Sequence, residues 1–360
     1  MLPPTFARAS VTAMHGYTPG EQPGLGVRVV KLNTNELPFP PSPKVIDAIR
    51  EIDSESLRRY PDPTAASFRA AAAKVLGVQS DMLIAGNGSD DILTIATRTF
   101  VPPGGLIASC EPSYSLYPVL SAIQEARHVG VSWNANYTLP IDALLATNAD
   151  AIYLANPNAP TGTVVPLASI AELAQKFQKL LLVDEAYIDF ASPGTSAISL
   201  IESHPNIVVS RSLSKGYGLA GLRFGYAAAR VNVIHEMMKV KDSYNCDAIS
   251  ILAATAAIED QAYAQACWAR VGEERERVHV SLTRLGFSVI PSQTNFLLAT
   301  VPSEAVGREV YQGLKQQGIL VRFFDKPGLS DKIRITIGSG QENDAVIAGL
   351  TALLEKQKAA

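Results

Sequence analysis

Leu180-Leu181-Leu182-Val183-Asp184-Glu185-Ala186-Tyr187 is an apolar run that ends on two carboxylates and a tyrosine. A short stretch without polar alternation is what a strand buried on both faces of a helix-covered sheet looks like. An aspartate at its end then stands at the carboxyl edge of the sheet, where open α/β folds bind ligands. In isolation Asp184 could equally cap a following helix.

The same short apolar pattern recurs at Leu83–Gly86, Leu106–Cys110, Val129–Trp133, Ile152–Ala155, Ile207–Arg211 and Phe224–Ala229. Several intervals read as helices. Ser89–Phe100 stops before Pro102-Pro103-Gly104-Gly105, and Leu167–Gln178 follows Pro166. Strands alternating with helices predict an α/β fold: a mostly parallel seven-stranded sheet with helices on both faces. Past residue 245 the character changes. Residues 246–285 read as Ala-rich, charged helices, followed by Phe287–Thr300, a helix over 303–317, Ile319–Phe324, Lys332–Ile337 and a last helix. This predicts a smaller α+β domain at 245–360 beside a large one at 44–244. Residues 1–43, rich in Pro and Gly, have no core of their own and are expected to pack on the other two.

With 360 residues, 47% of them hydrophobic and 18% charged, and a net charge of −3, the chain gives no electrostatic reason to expect nucleic acid or an acidic membrane surface. The N-terminus lacks an apolar signal core, and no stretch is long enough to span a membrane. Cys110, Cys246 and Cys267 form neither a C-x-x-C pair nor a disulfide framework. A cytoplasmic protein with reduced thiols is expected. The five histidines (15, 128, 204, 235 and 279) show no ligand spacing, so no metal site is expected.

Chemistry concentrates in four loops. In Ser210-Arg211-Ser212-Leu213-Ser214-Lys215-Gly216 a lysine sits in a small-residue loop after a strand, the setting a Schiff-base lysine needs to lose its proton. Ser212 and Ser214 offer hydroxyls to a phosphate, and Arg223 adds a planar fork. Gly216–Gly221 matches G-x-G-x-x-G formally, but a strand follows where a dinucleotide site needs a helix. Ala85-Gly86-Asn87-Gly88-Ser89-Asp90-Asp91 joins a strand to a helix through glycines, which suits an anion, although Asp90 and Asp91 would repel one unless turned away. Asn156-Pro157-Asn158-Ala159-Pro160-Thr161-Gly162 reads as a turn-rich loop.

Together these motifs resemble the fold-type I enzymes of pyridoxal 5′-phosphate (PLP), the aspartate aminotransferase superfamily, and within it the histidinol-phosphate aminotransferases. The resemblance runs from Lys31-Leu32-Asn33-Thr34-Asn35-Glu36 to Ile333-Arg334-Ile335-Thr336-Ile337-Gly338. It rests on four motifs in order: N-P-x-x-P-T-G, D-E-A-Y, S-x-S-K and G-L-R-x-G-Y. It implies that Lys215 is the Schiff-base lysine and general base, that Asp184 pairs with the pyridine nitrogen, and that Tyr187 meets the 3-hydroxyl. Gly88, Ser89, Ser212, Ser214 and Arg223 would surround the phosphate, with Asp90 also among the cofactor-binding residues and Tyr114 stacked on the ring. Tyr60 matches a tyrosine that reaches the neighbouring subunit's cofactor, implying a homodimer with shared active sites. Tyr17, Arg322 and Arg334 match residues that hold the substrate.

Two positions depart from the pattern. Ala159 stands where the family has the asparagine that meets the 3-hydroxyl, so Asn158 is expected to reach in from one residue earlier or the contact is lost. Leu37 stands where a polar residue is common. The implied reaction is transamination of L-histidinol phosphate with 2-oxoglutarate as acceptor. An aromatic amino acid aminotransferase and a threonine-phosphate-type decarboxylase are the alternatives on the same fold.

Overall fold

The computed structural model describes residues 6–24, 26, 28–303 and 305–359. The ends of the expected N- and C-terminal segments, residues 1–5 and 360, lie outside them. The strands are β1 (Val30–Lys31), β2 (Leu83–Gly86), β3 (Leu106–Glu111), β4 (Arg127–Ser132), β5 (Ala151–Ala155), β6 (Leu180–Asp184), β7 (Ile207–Ser212), β8 (Gly225–Ala228), β9 (Ser288–Val289), β10 (Phe296–Thr300), β11 (Ile319–Leu320), β12 (Arg322–Phe323) and β13 (Lys332–Thr336). Seven of them form the main sheet in the order β2-β8-β7-β6-β5-β3-β4. Within it β8 runs antiparallel to both neighbours, and the other pairings are parallel.

Alternation explains why the central strands β5 and β6 are apolar at almost every position. Leu181 and Val183 point into one apolar core and Leu182 into another on the opposite face. Ile152 and Leu154 divide from Tyr153 in the same way, as do Ile207 and Val209 from Val208. With both faces covered, every position on the strand removes apolar surface from water, worth about 1.5–3 kcal/mol for each large aliphatic side chain. The expected helix Ser89–Phe100 is present over those residues, with Ile92, Leu93, Ile95 and Ala96 in the second core.

A four-stranded antiparallel sheet, β12-β13-β10-β9, has its own core of Val271, Val278, Leu282, Leu297, Ile333, Ile335, Leu350 and their neighbours. The stretch Ile319–Phe324, expected as one strand, is two. β11 pairs in parallel with β1, while β12 pairs with β13, because the chain changes sheets at Val321. The helix Ala248–Glu259 packs against the helices Pro43–Arg50 and Ala66–Leu76, and Ala253, Ala254, Ala257 and Ile258 lie in the large core. The expected boundary at 245 falls just before this helix. Ala-rich composition marked the helix, but not the side it buries. Among the described residues no helix is long and apolar enough to cross a membrane.

Candidate active site

The strand order turns back between β3 and β5, and a cavity of about 310 Å³ opens outside the carboxyl ends of β3, β5, β6 and β7. Glu111, Tyr114, Ala155, Asp184, Ser212 and Lys215 line one side, and Tyr17, Asn33, Asn35, Arg322 and Arg334 the other.

Asp184 is the last residue of β6 and is buried. Burial, the dominant influence, pushes its carboxyl up to about 6, while hydroxyls from Ser210 (2.9 Å to Oδ1) and Tyr117 (3.1 Å to Oδ2) act the other way. Ser210 is the register partner of Asp184 across β6 and β7, so the sheet itself places this donor. Lys215 lies in the single helical turn Leu213–Gly216 that follows β7 directly. Its Nζ donates to the carbonyl of Thr34 at 2.9 Å and lies 5.9 Å from the ring centre of Tyr187. Burial above all, then the charges of Arg334 and Arg223, lowers the lysine to about 8, against the opposing pull of Glu36. A lysine of that basicity exists partly as the free amine near neutral pH.

An anion cradle closes one end. Arg223 has left-handed backbone (φ +55°), donates from Nη1 to Ser214 Oγ (3.2 Å) and holds Nη2 3.6 Å from Asp90 Oδ2. Gly88, at φ +87°, must be glycine: a Cβ there would stand 2.7 Å from Arg223 Nη2. Of the two acids feared to repel an anion, Asp91 turns away to accept from Asn87 N and Asn245 Nδ2. Asp90 stays, accepting from Tyr114 OH at 3.1 Å. Tyr114 meets Tyr17 and Tyr117 edge to face, with centroids 6.1 and 5.6 Å apart.

At the other end Arg322 and Arg334 are register partners on β12 and β13. Half-buried Arg334 is made less basic, above all by burial; its Nη2 donates to the carbonyl of Asn33 at 3.2 Å, and its buried Nε has no hydrogen-bond partner.

Not every expected residue arrives here. Asn158 does not line the cavity. Its Nδ2 donates to Thr161 Oγ1 (2.8 Å) and Pro112 O (3.2 Å), and its Oδ1 accepts from Ser113 Oγ (3.1 Å). Local bonds within the turn thus take the amide expected to reach the 3-hydroxyl, and Ala159 faces the cavity instead. Tyr60 is 81% exposed and stacks on Tyr244 outside the cavity of its own chain. Leu37 packs against the smaller core rather than lining the site. Thr34, Asn35, Ser210 and Tyr117 also touch site residues, although no motif marks them. A polar run immediately after an apolar strand end, Asn33-Thr34-Asn35-Glu36, was the available signal for the first two.

The donor set fits PLP: an amine of lowered basicity, a buried carboxylate, and an arginine–serine–glycine cradle spaced along one cavity. The buried carboxylate of Asp184 and the unpartnered Arg334 Nε are both costly to bury, a cost that a bound PLP would relieve.

The family model described as "Aminotransferase class I and II" matches residues 27–350. A histidinol-phosphate aminotransferase 1 of Trichormus variabilis is 45% identical over 349 residues, covering 97% of this chain and 99% of the relative. A histidinol-phosphate aminotransferase of Rhodopirellula baltica is 45% identical over 341 residues, covering 94% and 93%. Among solved structures, the histidinol-phosphate aminotransferase of Sinorhizobium meliloti in complex with pyridoxal-5′-phosphate superposes with a TM-score of 0.89 at 26% identity, covering 98% of each chain.

Proposed function

The chain belongs to the class I and II aminotransferases, and on that premise we propose that it transfers the amino group of L-histidinol phosphate to 2-oxoglutarate. The products are imidazole acetol phosphate and L-glutamate, a step of histidine biosynthesis. The observation that carries the substrate reading is the pairing of Arg322 with Arg334 across β12 and β13. Like charges directly opposite each other destabilise a ladder. Two guanidinium groups facing one cavity without a carboxylate between them make sense when an anion bridges them. Phosphate on the donor and carboxylate on the acceptor meet that need in turn.

PLP, when bound, supplies an electron sink for the substrate Cα. The chain's residues do the rest. Lys215 Nζ anchors the cofactor and, once displaced, takes the Cα proton and holds it for return, a role its basicity near 8 suits. Asp184 would hold the pyridine N–H of the bound cofactor and keep that nitrogen charged. Tyr187 donates to the 3-oxygen. Gly88, Ser89, Ser212, Ser214 and Arg223 grip the phosphate, with Asp90 steadying Arg223 and Tyr114. Tyr114 covers the ring, and Tyr17 closes the outer mouth.

Tyr60 supports a homodimer with shared active sites: its exposed ring is available to a neighbouring subunit's cofactor phosphate. Three buried free thiols accord with a cytoplasmic enzyme. We divide the chain into an N-terminal strap, a cofactor domain extending through the helix Ala248–Glu259, and a small domain after it. To test the reaction, L-histidinol phosphate is added to the PLP form without acceptor while the visible absorbance is followed. Conversion to the aminated cofactor, reversed by 2-oxoglutarate, is the expected result. An unresponsive band would overturn the substrate assignment, and aromatic amino acids and threonine phosphate would be tried next.

A further inference from the structure

Asn35 stands on the N-terminal segment, yet its side chain is the hydrogen-bond partner of Tyr187. Asn35 Nδ2 lies 2.8 Å from Tyr187 Oη. The direction of that bond follows from the other side of the amide. Thr336 Oγ1 accepts the backbone N–H of Asn35 at 3.0 Å and donates its own hydrogen to Asn35 Oδ1 at 3.1 Å. The carbonyl of Asn35 accepts from Asn295 Nδ2 at 2.9 Å, which fixes the residue from a third direction. With Oδ1 facing Thr336, the NH₂ group faces the phenol and donates to it. The Tyr187 oxygen is thereby an acceptor, and its single hydrogen is left to point elsewhere. Asn35 is buried and holds left-handed backbone at φ +57°, a conformation that asparagine tolerates better than most residues.

The loop on the neighbouring strand makes this arrangement matter more. Ala159 faces the cavity with no donor, and the Asn158 amide is committed to Thr161, Pro112 and Ser113. Tyr187 is left to supply the hydrogen bond that an amide at 159 would share. We propose that Asn35 is a positioning residue for Tyr187: its amide N–H occupies the phenol oxygen and turns the phenolic hydrogen toward the cofactor's 3-oxygen. This rests on reading the cavity as a PLP site. A donor whose own oxygen accepts a hydrogen bond is also the stronger donor.

The test reads the holoenzyme by absorbance. A hydrogen bond to the 3-oxygen draws off negative charge that helps the lysine–cofactor linkage hold its proton. Losing that bond raises the pH midpoint at which the visible band changes. Asn35→Gly keeps the left-handed backbone and removes the amide. It is expected to raise the midpoint by about 0.5–1 pH unit and to add nothing further in a Tyr187→Phe background. Thr336→Val, which frees the amide to rotate while suiting the strand, is expected to shift the midpoint the same way by less. Ala159→Asn, which restores a second donor, is expected to lower it and to shrink the effect of Asn35→Gly. An unchanged midpoint in Asn35→Gly, or an equal shift with and without the Tyr187 hydroxyl, would overturn the proposal. If the unsubstituted chain forms no visible band with PLP, the reading of the cavity fails instead, a result that is told apart at once.

Discussion

The wall of the cavity that carries Asp184, Tyr187, Ser212, Ser214 and Lys215 comes from the ends of β6 and β7 and the few residues after them, whereas the wall that carries Tyr17, Asn35, Arg322 and Arg334 is gathered from both ends of the chain. The first is built by adjacent parallel strands whose register puts Ser210 beside Asp184. The second depends on pairing a two-residue strand near the start, β1, with β11, and on the register of β12 with β13. Both walls keep a charge in an unfavourable place, a buried carboxylate on one and a pair of cations on the other. The first wall is thus a property of one sheet edge, and the second a property of the assembled molecule.

Substitutions on the two walls should separate accordingly. The largest effect belongs to Lys215→Ala, expected to fold and to lose turnover by about 10²–10⁴-fold or more. Single-turnover amino transfer measures it, and near-normal rates would remove Lys215 from the mechanism.

Next comes the stability of the cofactor-free protein. Between the ordinary value of about 3.9 and the raised value of about 6, native Asp184 keeps a proton that the unfolded chain has released. Stability contributed by this group therefore falls as pH rises through that window, and the full cost is present above it. Relative to Asp184→Asn, the unsubstituted protein should lose up to about 3 kcal/mol from pH 4 to pH 7 in denaturant titrations. A pH-independent difference would contradict the buried-anion account.

On the other wall, Arg334→Gln should lower kcat/KM for L-histidinol phosphate by about 10–100-fold, the worth of a charged hydrogen bond. The absorbance of the bound cofactor should stay as it was. If that spectrum moves as far as the kinetics do, the two walls are not independent. Uptake of PLP by the cofactor-free protein, which needs the free amine of Lys215, should speed up about tenfold between pH 7 and pH 9 and then level off, as its value near 8 requires. Stopped-flow absorbance follows this directly. The smallest change is expected from Tyr60→Phe, a loss of about 2–10-fold in cofactor affinity if its hydroxyl serves the neighbouring subunit. No loss, or a monomer in sedimentation, would end that assignment.

The same division governs what could be read before any fold was known. All seven strands of the main sheet were legible, the central ones because burial on both faces leaves apolar runs. Lys215, Asp184, Tyr187 and Arg223, which the fold brings to one cavity, could be singled out because each sits within a few residues of a strand end, in a short motif. Arg322 and Arg334 came only through the family resemblance; their facing one another is a matter of strand register. Asn35 was opaque for the same reason: its partners Tyr187, Thr336 and Asn295 lie 152, 301 and 260 residues away in sequence. Asn158 misled in the opposite sense. Its place in a known motif suggested a reach into the cavity, but a hydroxyl three residues away claims the amide first.

The bond between Asn35 and Thr336 joins residues 301 apart in sequence. During synthesis on a ribosome the whole main sheet is available long before β13 emerges, yet the cavity cannot take its final form until that last strand has been made. Such distant pairings close the longest loops in the chain and are slow to form. Capture of the cofactor in its working geometry is therefore a late event in the life of the nascent chain. A ribosome-stalled product ending before residue 332 should carry the lysine and the aspartate without the grip that holds Tyr187 in place.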